Sequence, residues 1–578
     1  MISVRIVGQP PRPRTLFLFV TLLSLSTLVL SQAAAPVQPQ KSTVRGTVIN
    51  AVTEAPVPRA LVLTRDNRAA VLTDGEGHFE ITLPDESASV QGRMLFSGGQ
   101  SQQPWAYVRK GNTYWFMVRK PGYLEDSEKN RARASAGDDI TIALIPEAII
   151  KGRITLAGGD AAPGINVDLY SRQVQDGLPR WTQRHSVRAN SAGEFRFAEL
   201  APGSYKLVTR EFMDNDPITD IRGSQLFGFP PVYHPGVSDF AAASTIELTA
   251  GQEFQADLSL VREPYYSVKI PVTNGDVNGG LNISVQGQRG PGYSLGYNSG
   301  EQRIEGLLPS GNYVVEAQTW GQNAVNGSVN LRVTGAAVDG PTMTLVPNSS
   351  IAIQVKEEFT DTSGNAPSTW SDGKSTFELH GPRIYLQARV ESADDFAQNR
   401  FGSIRQPTGP DDQSLVLENL APGRYWLRLS TARGYIASAM QGNVDVLRQP
   451  LTIRSGPAAP IEVKVRDDVA ELEGTITSLA QHSSINDDSA ESAQVWVYCV
   501  PLLDSSGEFM QFGVSGDGKF SNPRMAPGDY RVLAFSSAQT HLPYRDPEAM
   551  KAYESKGAVV HLAAGQKVTV DVPTIASE

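Results

Sequence analysis

The chain has 578 residues and a mass of 62.4 kDa, too large for one ordinary core, and is expected to divide into about three to six domains. Hydrophobic residues at 40% and charged residues at 19% exclude a chain that is disordered throughout, while 52 glycines and 38 prolines exceed the usual share of about 12% and favour turn-rich β structure. The formal charge of −10 provides no basic field for nucleic acid, and a single cysteine, Cys499, excludes an intramolecular disulfide framework, a cysteine-rich zinc site and an iron–sulfur cluster.

Arg5, Arg12 and Arg14 precede an apolar run from Leu16 to Leu30, followed by Ser31-Gln32-Ala33. This is the layout of a cleavable secretory signal over residues 1–33, with a low-complexity linker at 34–43. The run is shorter than the roughly 20 apolar residues of a membrane span and is interrupted by Thr21, Ser24, Ser26 and Thr27. The expected product is secreted or periplasmic, with no membrane span after signal removal. Cys499, within Val495-Trp496-Val497-Tyr498-Cys499-Val500, reads as a small buried hydrophobe in a strand.

Beyond the linker, short alternating runs rich in Val, Ile, Thr, Tyr and Phe recur between Gly, Pro, Asn and Asp clusters, and helical periodicity is nearly absent. A signature repeats: Leu200-Ala-Pro202-Gly203-Ser-Tyr205, Leu308-Pro309-Ser-Gly311-Asn-Tyr313, Leu420-Ala-Pro422-Gly423-Arg-Tyr425 and Met525-Ala-Pro527-Gly528-Asp-Tyr530. Its tyrosines are spaced 108, 112 and 105 residues apart, the length of a whole β-sandwich domain. Pro and Gly make the turn, and the tyrosine opens the next strand with its ring inward and its hydroxyl directed back to the preceding loop, as in a tyrosine corner. Tyr205, Tyr313, Tyr425 and Tyr530 are therefore read as structural. Upstream, Gly77-His-Phe79, Gly193-Glu-Phe195 and Gly518-Lys-Phe520 place a turn glycine just before an inward aromatic.

Gly46-Thr-Val48-Ile-Asn50, Thr53, Pro56-Val57, Ala60-Leu61-Val62, Thr73-Asp74, Gly77-His-Phe79 and Val118-Arg-Lys-Pro121-Gly122-Tyr123 resemble the carboxypeptidase regulatory-like domain. The resemblance implies a transthyretin-like, seven-stranded sandwich of the carbohydrate-binding-like fold group, related to the collagen-adhesin B-type repeat. It covers the first domain, apart from an insertion at 85–110, extends moderately to the second and fifth, and reaches the third and fourth mainly through the Pro-Gly-x-Tyr element. The expected fold is thus all-β, a tandem array of seven-stranded immunoglobulin-like or transthyretin-like β-sandwiches at 44–147, 148–264, 265–348, 349–467 and 468–578. Short junctions such as Arg262-Glu263-Pro264 and Pro347-Asn348-Ser349 predict a stiff string of beads.

Motifs for catalysis are missing. The seven histidines include no pair within one helical turn, so the zinc site of a metallocarboxypeptidase has no ligands of the required spacing. Gly296-Tyr-Asn-Ser299-Gly300 and Gly513-Val-Ser515-Gly516 lack the spacing of a nucleophile elbow. Acidic turns at Asp214-Asn215-Asp216 with Asp220, and at Asn486-Asp487-Asp488 with Glu491, do not complete a calcium loop. Lys269 and Lys356, in first strands, have no clear asparagine partner for an isopeptide staple. No catalytic residue, metal or cofactor is expected.

The aromatics are the remaining lead. Trp105 and Tyr107, preceded by Gly98-Gly99-Gln100-Ser101-Gln102-Gln103, and Trp181, Trp320 and Trp370, near polar or Gly-rich loops, offer flat rings beside amide groups, the surface a sugar requires. Trp105, Tyr107, Trp181 and Trp370 are the candidate ligand contacts, with a cap over a sandwich edge as the bland alternative. Trp115, Trp426 and Trp496 stand in strand runs and are expected in cores. The reading is a non-catalytic secreted or envelope binding or scaffolding protein, with polysaccharide as ligand class. A structural adhesin or spacer with protein partners, or a hydrolase with an inter-domain site, are the alternatives.

Overall fold

The computed structural model of the chain describes residues 43–83, 113–125, 130–214, 225–274, 280–287, 290–319, 321, 324–360, 368–371, 376–379, 386–393, 403–405, 415–454, 456, 458–477, 495–502, 505, 507–514 and 518–575. It is a tandem array of β-sandwiches. Among the described residues the helical structure named is a single turn, Pro547–Met550, capped by Asp546 and running into a 3-10 turn at Lys551–Tyr553. Five apolar cores follow one another along the chain, from Val44 to Leu144, Ala148 to Leu260, Val268 to Leu345, Ile351 to Val465 and Ala470 to Val572.

One strand rule generates all five sandwiches. The opening strand of each domain pairs antiparallel with the strand after the mid-domain turn and parallel with the closing strand. In the first domain Thr43–Asn50 lies between His78–Thr82 and Asp139–Leu144. In the second, Ala148–Leu156 lies between Glu194–Leu200 and the split pair Glu253–Gln255 and Leu258–Leu260. Glu263–Thr273, Ser349–Glu358 and Ala470–Thr477 repeat the arrangement. The facing sheet is antiparallel in the first four domains, as in Leu61–Thr64 with Ala70–Leu72 and Thr113–Arg119, or Asn166–Gln175 with Leu178–Arg188 and Gly203–Thr209; in the fifth, Gly528–Phe535 also pairs parallel with the end of the closing strand Lys567–Ile575. Alternation supplies both faces, since one residue in two points into the core.

In the first, second and fifth domains the opening strand carries a glycine directly opposite the aromatic of the Gly-x-Phe element: Gly46 faces Phe79, Gly152 faces Phe195 and Gly474 faces Phe520. The ring lies over the glycine so closely that an added Cβ would stand 2.8 Å from Phe79, 2.7 Å from Phe195 or 2.2 Å from Phe520. The same Cβ would meet a closing-strand carbonyl oxygen at 2.3, 2.1 and 2.5 Å. A strand glycine marks such close approach. The opening strands of the third and fourth domains contain no glycine.

The Pro-Gly-x-Tyr elements share their geometry. Gly203, Gly423 and Gly528 have φ of 151°, 154° and 150°, a region closed to other residues. The hydroxyls of Tyr205, Tyr313, Tyr425 and Tyr530 each donate to the carbonyl four residues earlier, of Ala201, Pro309, Ala421 and Ala526, at 2.7, 2.8, 2.7 and 2.7 Å. All four rings are buried in their domain's core. A buried phenol needs a partner, and the loop carbonyl is the one within reach.

The domains are not arranged as beads on a string. A loop of the second domain adds strands to the sheet of the third: Leu226–Phe229 pairs with Phe212–Met213 and, through Leu226 and Tyr265, with Glu263–Thr273. At the next junction Asn326 donates to Asn348 and Asn348 to Asn419, both at 2.8 Å, while Asn419 donates to the carbonyl of Gly321 at 3.2 Å. The second domain also bonds to the fourth and fifth, with which it shares no sequence junction. Short junctions limit rotation between neighbours, but they do not fix the course of the chain.

The corner bond accounts for part of the second domain's stability. Tyr205→Phe should cost about 1 kcal/mol, read as a lower urea midpoint of the Trp181 fluorescence transition; an unchanged midpoint would show that the hydroxyl contributes nothing.

Candidate inter-domain cleft

The site is built on a hairpin. Asn166–Gln175 and Leu178–Arg188 are joined by Asp176-Gly177, with φ of 47° and 75°. Two positive φ values in a two-residue loop suit Asp-Gly and match the twist of the flanking strands. Gly177 is required twice over, because an added Cβ would lie 2.7 Å from the Tyr544 ring.

The carboxylate of Asp176 is thereby carried to two other domains. Its Oδ2 accepts from Arg428 Nε at 2.8 Å, Arg428 Nη2 at 2.6 Å and Arg545 Nη1 at 2.9 Å, and its Oδ1 accepts from the Tyr544 hydroxyl. The Arg545 amide donates to the Gly177 carbonyl at 3.0 Å, and Arg180 donates to the carbonyl of Ser392. Aromatic rings brace the basic side: Tyr544 stacks on Phe509 at 3.7 Å and 6°, and the Arg545 guanidinium lies 4.2 Å over Trp426. Fork-shaped guanidiniums suit this role, since one charge delivers several directed bonds.

Burial would push the Asp176 carboxyl up, but the Tyr544 hydroxyl and the two guanidiniums outweigh it and hold the group below the ordinary carboxylate value. Burial, reinforced by Arg428, pulls Arg545 down to about 10, against the opposing pull of Asp176. Glu508 behaves oppositely: burial raises it, with the Ile436 amide and the Arg428 charge opposing. These groups border a cleft of about 560 Å³ whose walls include Trp426, Asp445, Arg448, Ser505 and Glu508, a volume within the range of small-ligand sites.

This cleft does not contain the aromatics singled out from the sequence. Trp105, Tyr107 and Trp320 lie outside the described residues. Trp181 is part of a strand, half-buried, with its ring 5.9 Å from Phe240 and the Lys206 ammonium 5.2 Å away. Trp370 stands opposite Phe377 in the hairpin Ser368–Ser371 and Thr376–Leu379. Nor are the three strand tryptophans core residues. Trp115 is 49% exposed, Trp426 borders the cleft under Arg545, and Trp496 is partly buried against a satellite cluster. In each strand the neighbouring positions, Phe116, Tyr425 and Leu427, or Val495 and Val497, are the inward ones, which puts the indole on the opposite face. Of the acidic turns, Asp214 pairs with Arg262 at 2.6 Å and the remaining acids lie outside the described residues. Among the described residues no group of three His, Cys, Asp or Glu is disposed to hold a metal.

Sequence reasoning missed Asp176, Arg428, Tyr544, Arg545 and Glu508. The Asp-Gly pair between two alternating runs marks a hairpin tip, but its partners lie 252, 368 and 369 residues away.

No protein-family model matches the chain, and no curated protein sequence matches it. Among solved structures, it aligns with the TIE protein of Bacillus anthracis at 10% identity over 53% of this chain and 51% of that one, with a TM-score of 0.15. It aligns with a streptococcal ancillary pilin at 11% identity over 52% and 99%, TM-score 0.17. It also aligns with the shaft pilin SpaA of Lactobacillus rhamnosus GG at 11% identity over 39% and 98%, TM-score 0.18. The chain spans about half the length of the Bacillus protein.

Asp176→Ala leaves two guanidiniums without their carboxylate. The loss should be about 2 kcal/mol of inter-domain stability, below a fully buried pair because Asp176 is partly solvated, seen as a larger radius of gyration by small-angle scattering; an unchanged radius would show that other contacts hold the domains. The two acids give opposite pH signatures. Asp176, depressed, stabilises the folded clamp above its unfolded value and loses that contribution as pH falls through its folded value. Glu508, raised, favours the folded form most at low pH and opposes it increasingly as pH climbs from 4.5 through its folded value. Glu508→Gln should therefore raise the thermal midpoint at neutral pH and leave it unchanged near pH 4; a lower midpoint at neutral pH would mean that the charged carboxylate is a stabilising partner.

Proposed function

We propose that the protein is an exported, non-catalytic binding or scaffolding protein of the cell envelope, built from five sandwich domains divided near residues 147, 264, 348 and 467. The observation that carries this reading is the occupancy of Asp176. An acid in a cleft is a candidate for proton transfer, but this one accepts four bonds from three side chains and is held in the charged form. Its role is to hold the second, fourth and fifth domains in fixed relation. Export rests on the N-terminal layout at 1–33, and among the described residues no helix is long and apolar enough to cross a membrane. The glycine and phenylalanine pairs of the first, second and fifth domains support the carboxypeptidase regulatory-like assignment of those three.

A second reading, binding of a polysaccharide, is favoured by the cleft itself. Trp426 offers an apolar wall, and Asp445, Arg448, Ser505 and Glu508 supply polar groups that match hydroxyls. A hydrolase needs two acids free to exchange protons; of the three acids that line this cleft, Asp176 is committed to the clamp and Asp445 is engaged by the Leu447 amide at 3.0 Å and the Arg448 guanidinium at 3.6 Å.

The test is retention on immobilised polysaccharides, with a hydrolysis assay on the same polymers, of the chain from Ala34 onward beside Trp426→Ala and Glu508→Gln. Retention that weakens about tenfold in Trp426→Ala, as loss of one buried ring contact does, establishes the glycan cleft. No retention on any polymer leaves the scaffold with protein partners. Hydrolysis that Glu508→Gln abolishes overturns the non-catalytic reading.

A further inference from the structure

Glu211 is an acid at the seam of the second and third domains, and no cation among the described residues meets it. It follows the second domain's corner strand Gly203–Thr209 and reaches across the junction, where its Oε1 accepts from the Ser294 amide at 2.7 Å and from the Ser294 hydroxyl at 2.8 Å. The Glu211 amide donates to the Gly292 carbonyl at 3.3 Å. Backbone and side chain therefore both bind the third-domain strand Gly290–Tyr293 and the residue after it. The other carboxyl oxygen, Oε2, is buried without a hydrogen-bond partner.

The surroundings are aromatic and acidic. Tyr265 is 2% exposed and stands near the start of Glu263–Thr273, and its hydroxyl is likewise buried without a partner. Its ring passes the second-domain segment that Glu211 leads into: a Cβ on Gly228 would stand 2.9 Å from that ring and 3.0 Å from the Phe212 carbonyl oxygen. The rings of Tyr293 and Tyr313 meet edge to face at 5.3 Å. The Glu211 charge acts on the phenols of Tyr265 and Tyr313, and Glu263 adds to it with the same sign. The guanidiniums that flank this seam are engaged by other acids, Arg210 by Asp168 at 2.7 Å and Arg262 by Asp214 at 2.6 Å.

A carboxyl has two oxygens, and here donors reach only one of them. Ionised, the group places charge on an oxygen that no donor meets, with a second acid nearby. Protonated, it carries its hydrogen on Oε2 and leaves Oε1 to accept both Ser294 bonds. Burial pushes the carboxyl up, and the two Ser294 bonds, which favour the charged form, offset only part of that. The proton therefore belongs to the joined state, the reverse of Asp176, whose guanidiniums hold it charged.

We propose that Glu211 is a proton-operated latch: with a hydrogen on Oε2 it holds the second domain to Ser294 of the third, and on releasing that proton to water it turns to solvent and frees the seam. The latch involves no residue of the cleft walled by Trp426 and Glu508. Because the joined state binds the proton more tightly, the opening equilibrium grows by up to tenfold per pH unit between 4.5 and the value of the joined carboxyl.

The experiment is amide hydrogen exchange of the chain from Ala34 onward, which retains every described core, from pH 4.5 to about pH 8, below the range of a free phenol, with rates corrected for their intrinsic pH dependence. Protection of Glu211 and of residues 290–298 is expected to fall with rising pH, by up to about tenfold per unit, while the segment around Tyr425 in the fourth domain stays level. Glu211→Gln keeps the shape and the Oε1 acceptor and carries hydrogens in place of Oε2, so its protection should hold the acid-side level at every pH. Ser294→Ala removes a bond that favours the charged form, so the fall should continue to higher pH, a displacement that a merely structural contact does not produce. Protection that is flat in the wild-type chain, or that falls equally in Glu211→Gln, overturns the proposal. So does a fall that ends at lower pH in Ser294→Ala, or protection that rises with pH, which would mean that Ser294 holds the ionised carboxylate in place.

Discussion

A partly buried carboxylate at the tip of a hairpin cannot remain unpaired, because moving its charge out of water costs several kcal/mol unless donors replace the lost hydration. Asp176 meets this requirement with donors from two other domains, and the relation of the second, fourth and fifth domains follows from it. The Asp-Gly turn aims the carboxylate, the Tyr544 ring leaves no room beside Gly177 for a side chain, and Trp426 and Phe509 brace the donors. The cleft is the space these constraints leave open. Its unusual ionisation states, an acid held charged beside one pushed toward neutrality, are products of the same burial.

Within each domain two local devices do the structural work. One is the tyrosine whose hydroxyl returns to the carbonyl four residues back; the other is the opening-strand glycine covered by a phenylalanine. They are distributed unequally: the second and fifth domains use both, the third and fourth only the tyrosine, and among described residues the first shows the glycine pair. The sandwiches thus share a strand rule while differing in how their layers are held.

The surfaces divide in a similar way. The cleft between domains is lined by Asp176, Arg428, Asp445, Arg448, Glu508 and Arg545 together with apolar side chains, whereas on the first domain Leu61, Leu72 and Trp115 are exposed.

The sequence by itself determined the all-β class and the tandem arrangement, because alternation and turn chemistry act over a few residues and repeat about every hundred. The bonds of Tyr205, Tyr313, Tyr425 and Tyr530 were legible for the same reason: a partner four residues away is already present in the motif. Side-chain facing along a strand was only half legible. Trp115, Trp426 and Trp496 occupy strands, but which of the two faces meets the core depends on register, and register is set by strands far away in sequence. The clamp was not legible at all. Asp176 looks like any turn aspartate until folding brings Arg428, Tyr544 and Arg545 to it across 252, 368 and 369 residues. Local rules shape each domain from its own residues, whereas contacts between domains depend on complementary surfaces that exist only after the domains have folded.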